Sequence, residues 1–334
     1  MHVHKDTLSL VLLALGDALI GAALALAFVS GPAAADEADE PLSVSEAVEG
    51  LERTDGLFPL YTDRETGDVY MEIAAEQIGQ EFILLSKTVN GVLAAGHFSG
   101  FYRDNRIVTF RRHFNRVEIV ARNTAFYFDP ASPLARASEA NISEAVLASV
   151  KISAEEEERL LIDAVALFLG EALHQVKSSP EFRGGGDEFA LGELSAAKTK
   201  FHELRGYPQN TDVLVDYIYD NPAPSPFASG GEAVTDPRYV TIRMQHSFAA
   251  PPPEEGFRPR LADWRVGYFT ERITDLTSTD PAPYRDLIQR WRLEKKNPEA
   301  EVSEPVAPIV WWIENTTPLE YRDVIRRAVL AWNE

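Results

Sequence analysis

The chain has 334 residues, 45% of them hydrophobic, enough to bury a real core and, by length, to make two domains rather than one. Its 52 acidic against 32 basic residues leave a formal charge of -20, a surface that repels phosphate backbones and anionic lipid and so argues against nucleic-acid binding. There is no cysteine, which excludes disulfides, thiolate zinc sites and cysteine nucleophiles together.

Residues 1–35 read as an export signal. His2, His4 and Lys5 make a weakly basic start, and a mostly apolar run extends from Leu8 to Val29, broken by Asp17. Ala33-Ala34-Ala35 supplies the small-x-small pattern that a signal peptidase cuts, before Asp36. An uncleaved membrane anchor is the alternative, because the run is nearly long enough to span a bilayer. Asp17 and the Gly31-Pro32 break favour cleavage, and with it a periplasmic or secreted protein. Residues 36–55 follow as an acidic tether with a short helix.

Strands dominate the next stretch, 56–280. "LFPLYTD" (57–63) and "DVYMEI" (68–73) flank a Thr66-Gly67 turn signal, and "EFILLSK" (81–87) follows a small-residue, helix-like segment. "RIVTFRRHFNRVEIVAR" (106–122) reads as a hairpin turning near Asn115. "ISEAVLASVKIS" (142–153) is either a short helix or the start of a strand, and "RLLIDAVALFLG" (159–170) a buried strand running into a turn. "TDVLVDYIY" (211–219) and "RYVTIRMQHSF" (238–248) pair across a loop rich in Pro, Gly and Ser. The proline-rich "AAPPPEEGFRPR" and "TSTDPAPYRD" predict irregular backbone, and 281–307 an extended connector.

The last segment, 308–334, looks like the opening of something else. Ile309, Trp311 and Ile313 line one face of a strand and Val310 and Trp312 the other, a pattern for the middle of a covered sheet. Thr317, Pro318 and Glu320 spell a helix start with a capping box, and Tyr321, Ile325, Ala328 and Trp332 form one apolar stripe. The fold class is therefore α+β and β-rich: an antiparallel sheet domain, a Pro-rich connector, and an incomplete αβ unit.

No local motif carries chemistry. "HELRG" (202–206) begins like the zinc-protease helix H-E-x-x-H, but position 206 is Gly and Tyr207-Pro208 ends any helix, so His202-Glu203 reads as a chance pair in a loop. His97, His113, His174 and His246 are scattered without metal-ligand spacing; only folding could assemble a three-histidine site from them. "RGGGD" (183–187) lacks the Lys-Ser/Thr of a phosphate loop, and "EEEE" (155–158) is a solvated charge run. No Ser sits in a Gly-x-Ser-x-Gly elbow. The sequence thus nominates no catalytic, cofactor-binding or metal-binding residue.

Longer stretches carry a resemblance. "RWRLEKKNPEAEVSEPVAPIVWWIENTTPLEYRDVIRRAVLAWNE" (290–334) resembles the junction between the N-terminal region and the catalytic domain in exported bacterial zinc-dependent metallopeptidases of the metzincin kind. "GLFPLY", "TGDVYMEI", "GQEFILLS", "ASEANISEAVLASVKI", "RLLIDA", "YPQNTDV", "QHSF", "GFRPR" and "VGYF" are similar to the same N-terminal region, itself of unknown function. The likeness covers nearly all of 56–334, with Arg292–Val306 its most specific part. The family's H-E-x-x-H-x-x-G-x-x-H helix has no counterpart here, so no catalytic residue carries over. The resemblance implies zinc for the full-length family, no cofactor in this chain, and a chain truncated after the first strand and helix of the catalytic domain. It also implies a partner, either a separate catalytic half or a second copy meeting through 308–334. An independent extracytoplasmic module for a peptide or glycan is the other reading, and an enzyme with an unrecognised site the third.

Export should remove residues 1–35. N-terminal sequencing of the extracytoplasmic form should begin at Asp36; a mature protein that still begins at Met1 would establish the anchor instead.

Overall fold

The computed structural model describes residues 42–138, 140–177, 189–227, 229–253 and 256–333. The expected export signal and the first part of the tether lie outside the described residues. From Ser43 the expected tether already belongs to the fold. Ser43 caps a short helix, α1 (Val44–Ala47): its hydroxyl accepts from the Glu46 amide at 3.2 Å, and the Glu46 carboxylate accepts from the Ser43 amide at 3.1 Å. Val44 is fully buried against Tyr61, Ala154 and Leu161, which is why this helix is fixed.

Strand residues far outnumber helical ones, 38% against 13%, and most lie in one antiparallel sheet of 12 strands, so the fold is β-rich α+β. Across it run β1 (Glu52–Thr54), β2 (Leu60–Thr62), β3 (Val69–Ala74), β9 (Arg159–Asp163), β8 (Ala145–Glu156) and β6 (Arg116–Ala121). Next come β5 (Tyr102–His113), β4 (Glu81–Asn90), β13 (Tyr239–Ala249) and β12 (Asn210–Asp220). The far edge of β12 is shared by β10 (Glu193–Leu194) and β11 (Lys200–Tyr207). The expected hairpin at 106–122 is β5 and β6, turning at Phe114-Asn115 with Phe114 at a φ of 51°. The expected pairing of 211–219 with 238–248 extends in register from Asn210 opposite Ala249 to Asp220 opposite Tyr239. "ISEAVLASVKIS" resolves in favour of strand as β8, and the segment after β9 forms a one-turn helix, α2 (Ala164–Phe168), capped by Asp163.

Period-two alternation decides which side chains meet. Phe82 and Leu84 of β4, Val108 and Phe110 of β5, Val213 and Val215 of β12, and Met244 and Phe248 of β13 face one core. Phe58 stands among their rings, 5.0 Å from both Phe82 and Phe110 and 5.9 Å from Phe248. Edge and tilted packing of this kind adds about 0.5–1.5 kcal/mol per pair beyond burial.

The two ends of the sheet meet at Phe58. The Leu57 amide donates to the Tyr207 carbonyl at 2.9 Å, and the Thr211 hydroxyl both accepts from the Phe58 amide and donates to the Phe58 carbonyl, each at 2.9 Å. Backbone passes backbone here so closely that a Cβ on Gly206 would lie 1.6 Å from the Asp55 carbonyl oxygen, and one on Gly56 would lie 2.9 Å from the Gly206 Cα.

A second sheet holds β7 (Phe126–Tyr127), β14 (Thr270–Asp275) and β15 (Tyr284–Ile288), with β7 parallel and β15 antiparallel to β14. The expected connector at 281–307 therefore begins inside a sheet. Arg285 explains why a proline-rich segment becomes regular: its guanidinium stacks 4.1 Å over Tyr127 and bonds Asp275 at 2.6 Å. The expected strand at 309–313 is absent. Residues 308–314 have no ladder partner among the described residues, and strand geometry is held by its ladder. The helix that follows, α3 (Leu319–Leu330), is capped at Pro318, one residue later than expected, and the Thr317–Glu320 box does not form. Among the described residues no helix is long and apolar enough to cross a membrane.

Gly206→Ala should cost at least the roughly 1–3 kcal/mol of an overpacked site, because the obstacle is backbone. Gly170→Ala, whose Cβ would meet nothing within 4 Å, should be close to neutral. Urea unfolding of both variants beside the parent checks this.

Candidate functional site

Two regions depart from what folding alone requires: a seam of buried polar groups inside the large sheet, and an exposed aromatic surface in the last 80 residues.

The seam starts on the inward faces of β4, β12 and β13. Ser86, Tyr217 and His246 occupy positions that alternation turns toward the core, and all are buried. His246 Nδ1 lies 2.9 Å from Ser86 Oγ and His246 Nε2 lies 2.9 Å from Tyr217 Oη. The Tyr217 hydroxyl donates its proton to the Phe168 carbonyl at 2.7 Å, so it accepts from His246 Nε2, and Nδ1 accepts from Ser86. A hydroxyl aimed at a basic imidazole nitrogen is the pairing that activates serine nucleophiles. Here Ser86 is 1% exposed and His246 0% exposed, so no substrate carbonyl reaches the hydroxyl. The arrangement acts as a latch on α2 through Phe168.

The seam continues under the segment that follows α2. One Glu171 carboxylate oxygen accepts from the Tyr219 hydroxyl at 2.7 Å, the Val176 amide at 2.9 Å and the Lys177 amide at 3.0 Å. His97 Nε2 donates to the Val176 carbonyl at 3.0 Å, and its Nδ1 faces the Thr88 hydroxyl at 3.3 Å. His174 is partly buried beside these groups, its two ring nitrogens shielded from solvent without a hydrogen-bond partner and Nδ1 3.9 Å from an Asp104 oxygen.

Burial sets the protonation of all three histidines. It pushes His246 down to about 3, with the neighbouring His174 adding to the effect, and His97 down to about 4, with Arg103 adding to it. His174 is lowered by burial and then by Arg103. Tyr217 and Tyr219 are both raised, by burial first and by Glu171 second. At neutral pH the seam holds uncharged imidazoles and phenols. Folding thus gathers His97, His174 and His246, which sequence spacing left scattered, yet among the described residues no group of three His, Asp or Glu is placed to hold a metal ion.

His202-Glu203 lies in strand β11, where a loop was expected. A register shift between Phe201 and Glu203 leaves His202 outside the ladder, with Nδ1 3.4 Å from an Asp216 oxygen. Asp216 is already held by Arg243 at 2.7 Å, and Glu203 by Arg205, which keeps the Glu203 carboxyl below its usual range. A strand offers no i, i+4 face for a second ligand, so these residues do not fit a zinc site. His113 is exposed at the end of β5, against the Phe114 ring. "RGGGD" lies outside the described residues. The "EEEE" run is more than a solvated stretch: Glu155 pairs with Arg112, and Glu156 accepts from Arg159 and the Ser45 amide, which lowers it to about 2.

The aromatic surface is of another kind. All five tryptophans, Trp264, Trp291, Trp311, Trp312 and Trp332, are at least 62% exposed, whereas the core is built from Phe and Tyr. Trp312 is 90% exposed and Val310 60%. In α3 no residue is buried, and Tyr321, Ile325 and Trp332 of the expected stripe face solvent. The backbone that presents them is ordered by local bonds: Lys296 N to Glu304 O and Val306 N to Glu294 O, each 2.8 Å, and Arg322 to the carbonyls of Asn315 and Thr317.

Comparison with known proteins gives one match. The family described as "Domain of unknown function (DUF5117)" covers residues 101–296, more than half of the chain. Its span opens at the start of β5, inside the large sheet, so β1 to β4 complete a fold whose matched part begins midway. No curated protein and no solved structure matches.

The neutral histidines predict an acid-labile fold. Above pH 6.5 folded and unfolded chains both carry neutral imidazoles; below it the unfolded chain takes up protons that the fold refuses, until pH reaches about 4 for His97 and about 3 for His246. Stability is therefore lost as pH falls from 6.5, by about 1.4 kcal/mol per pH unit for each such histidine. In His246→Gln the proton uptake on unfolding near pH 5, read from the pH slope of urea stability, should fall by about one proton, with no change in slope at pH 7.5.

Proposed function

The chain belongs to the DUF5117 family, and on that premise we propose that it is a non-catalytic, pro-region-like part of an exported zinc-dependent metallopeptidase of the metzincin kind. It works by packing on a catalytic half and steering substrate to it. The observation that carries the proposal is the uncovered apolar surface of residues 309–312 and α3. Clustered exposed apolar side chains mark association surfaces, since leaving them in water forfeits about 25 cal/mol per Å2. The same residues carry the resemblance to the first strand and helix of the metallopeptidase catalytic domain, so the partner that would cover them is the remainder of that domain. There the two-sided pattern of Ile309 to Ile313 would find strands to pair with. On this reading zinc belongs to that half, as the resemblance implies for the full-length family. Within this reading the large sheet is scaffold, and export through residues 1–35 places it in the periplasm or outside the cell.

Two measurements test it together. In light scattering after size exclusion, the mature chain should self-associate through the uncovered surface, while a chain ending at Glu304 should be a monomer. Purified mature protein should retain no stoichiometric zinc after loading and dialysis, and should not cleave casein or a peptide library. Identical behaviour of the two chains would remove the association surface from the proposal. Stoichiometric zinc with chelator-sensitive cleavage that disappears in His202→Ala would overturn it.

A further inference from the structure

A concavity of about 320 Å3 lies on the outer face of β4, β13 and β12, away from the seam. Its polar lining comes from three antiparallel registers. Tyr102 stands opposite Lys87 and Lys87 opposite Gln245; Ser247 stands opposite Asp212; Asn210 stands opposite Ala249. Directly opposed residues share a face, so these side chains form one platform. Tyr102 reaches it only through a register shift between Ser86 and Lys87. Ser86 faces inward opposite Asp104, and without the shift Arg103 would be opposite Lys87. Bulges of this kind re-aim a side chain.

The platform is pre-formed. Gln245, Ser247 and Asp212 are 7%, 8% and 8% exposed although they stand on the outside of the sheet. Gln245 Nε2 donates to Ser247 Oγ, and Asn210 Nδ2 donates to Asp212 Oδ1, each at 2.9 Å. These bonds fix both amides and leave Gln245 Oε1 and Asp212 Oδ2 to accept from a ligand. Tyr102, 62% exposed, offers a ring at one side.

A second concavity of about 500 Å3, lined by Asn105, Asn123, Thr124 and Ser143 and by two arginines, Arg106 and Arg122, adjoins the first. They meet where Ile83 opposes Ala249 and Asn105 opposes Leu85. The trough so formed crosses β12, β13, β4 and β5, roughly 15–20 Å at about 4.8 Å per strand.

Chemistry narrows the ligand. β4 and β13 each have paired strands on both sides, so their backbone N–H and C=O groups are committed to ladders and an added peptide strand finds no edge there. Recognition is left to side chains: amides, hydroxyls and one carboxylate, with an aromatic ring beside them and the cations Lys87, Arg106 and Arg122 at the edges. Lys87 and Asp212 offset each other in charge, and the nearby cations are each paired with a carboxylate: Arg106 with Asp104, Arg122 with Glu144, and Arg205, opposite Asp212, with Glu203. That is a surface for a ligand dense in hydroxyls, uncharged, and with an apolar ring face to lay on a phenol. We propose that this trough binds a neutral linear glycan, with Asn210, Asp212, Gln245 and Ser247 bonding its hydroxyls and Tyr102 stacking one sugar ring. The inference stands apart from the metallopeptidase reading, since it uses none of residues 290–333.

The full exported chain is screened on an array of neutral and charged oligosaccharides beside a peptide library, and the neutral β-1,4- and α-1,4-linked hexasaccharides are titrated by calorimetry. At least one neutral hexasaccharide should bind saturably. Tyr102→Ala and Gln245→Ala should each weaken it tenfold or more with unchanged thermal unfolding, and Tyr284→Ala, on the second sheet, should leave it unchanged. No saturable binding to any neutral glycan overturns the proposal. So does binding that survives both substitutions, or a trough that captures peptides alone.

Discussion

Closure of the large sheet at Phe58 is the constraint on which the rest depends. A sheet of 12 strands has two edges, and an open edge is a row of unpaired donors and acceptors. Here Leu57 bonds Tyr207 and Phe58 bonds Thr211, so the first strands come back to the last. Only a pair of glycines allows that approach, Gly56 on one side and Gly206 on the other. Once the ends meet, the inward faces enclose Phe58, Phe82, Phe110, Phe168 and Phe248 in one ring cluster. Because α1 and β1 take part, the fold begins well before the residues that match the family.

Closure also explains why polar groups are buried in the seam. The inward positions of β4 and β12 change from apolar to Ser86, Thr88, Tyr217 and Tyr219 toward one end of the strands, with His246 of β13 opposite Ser86. In the segment after α2, Glu171 bonds Tyr219 of this row and Val176 bonds His97. That segment has little regular structure of its own, so its amides and carbonyls need partners. Glu171, His97 and Tyr217 provide them. The Ser86–His246–Tyr217 row has the distances of a catalytic relay and the burial of a structural one. Burial decides, since it denies both substrate and the ionised imidazole that a base must pass through.

The C-terminal region follows a different logic. Its order comes from the ladders of β7, β14 and β15 together with arginines laid on aromatic rings, Arg272 on Tyr284, Arg285 on Tyr127 and Arg290 on Phe257. Such stacks are worth about 0.5–1 kcal/mol each when exposed. They set the backbone of 257–290 while leaving Trp264 and Phe269 in solvent. The outer trough and the tryptophan surface are thus separate features, one polar and built on paired strands, the other apolar and carried by segments outside the main sheet.

Much of the fold was legible in the sequence. Alternation alone located β3, β4, β5, β6, β12 and β13, because each buries one face and period two leaves a clear mark. It also paired β12 with β13, while the register, in which a slip of one residue would turn Tyr217 and His246 outward, came from the structure. Sequence failed where pairing is non-local. The pattern at 309–313 states that these residues suit a covered strand, but a strand exists only when a partner ladder is present. The "HELRG" stretch, expected as a loop, is strand β11 because β12 supplies its ladder. The scattered histidines became neighbours, and Tyr102, Asp212 and Gln245 became one platform, only through strand order and a one-residue bulge. Those are long-range facts, written in no window of the chain. Local hydrophobic period determined which residues face inward; tertiary closure decided which of them meet, because contact across a sheet depends on register between segments a hundred or more residues apart.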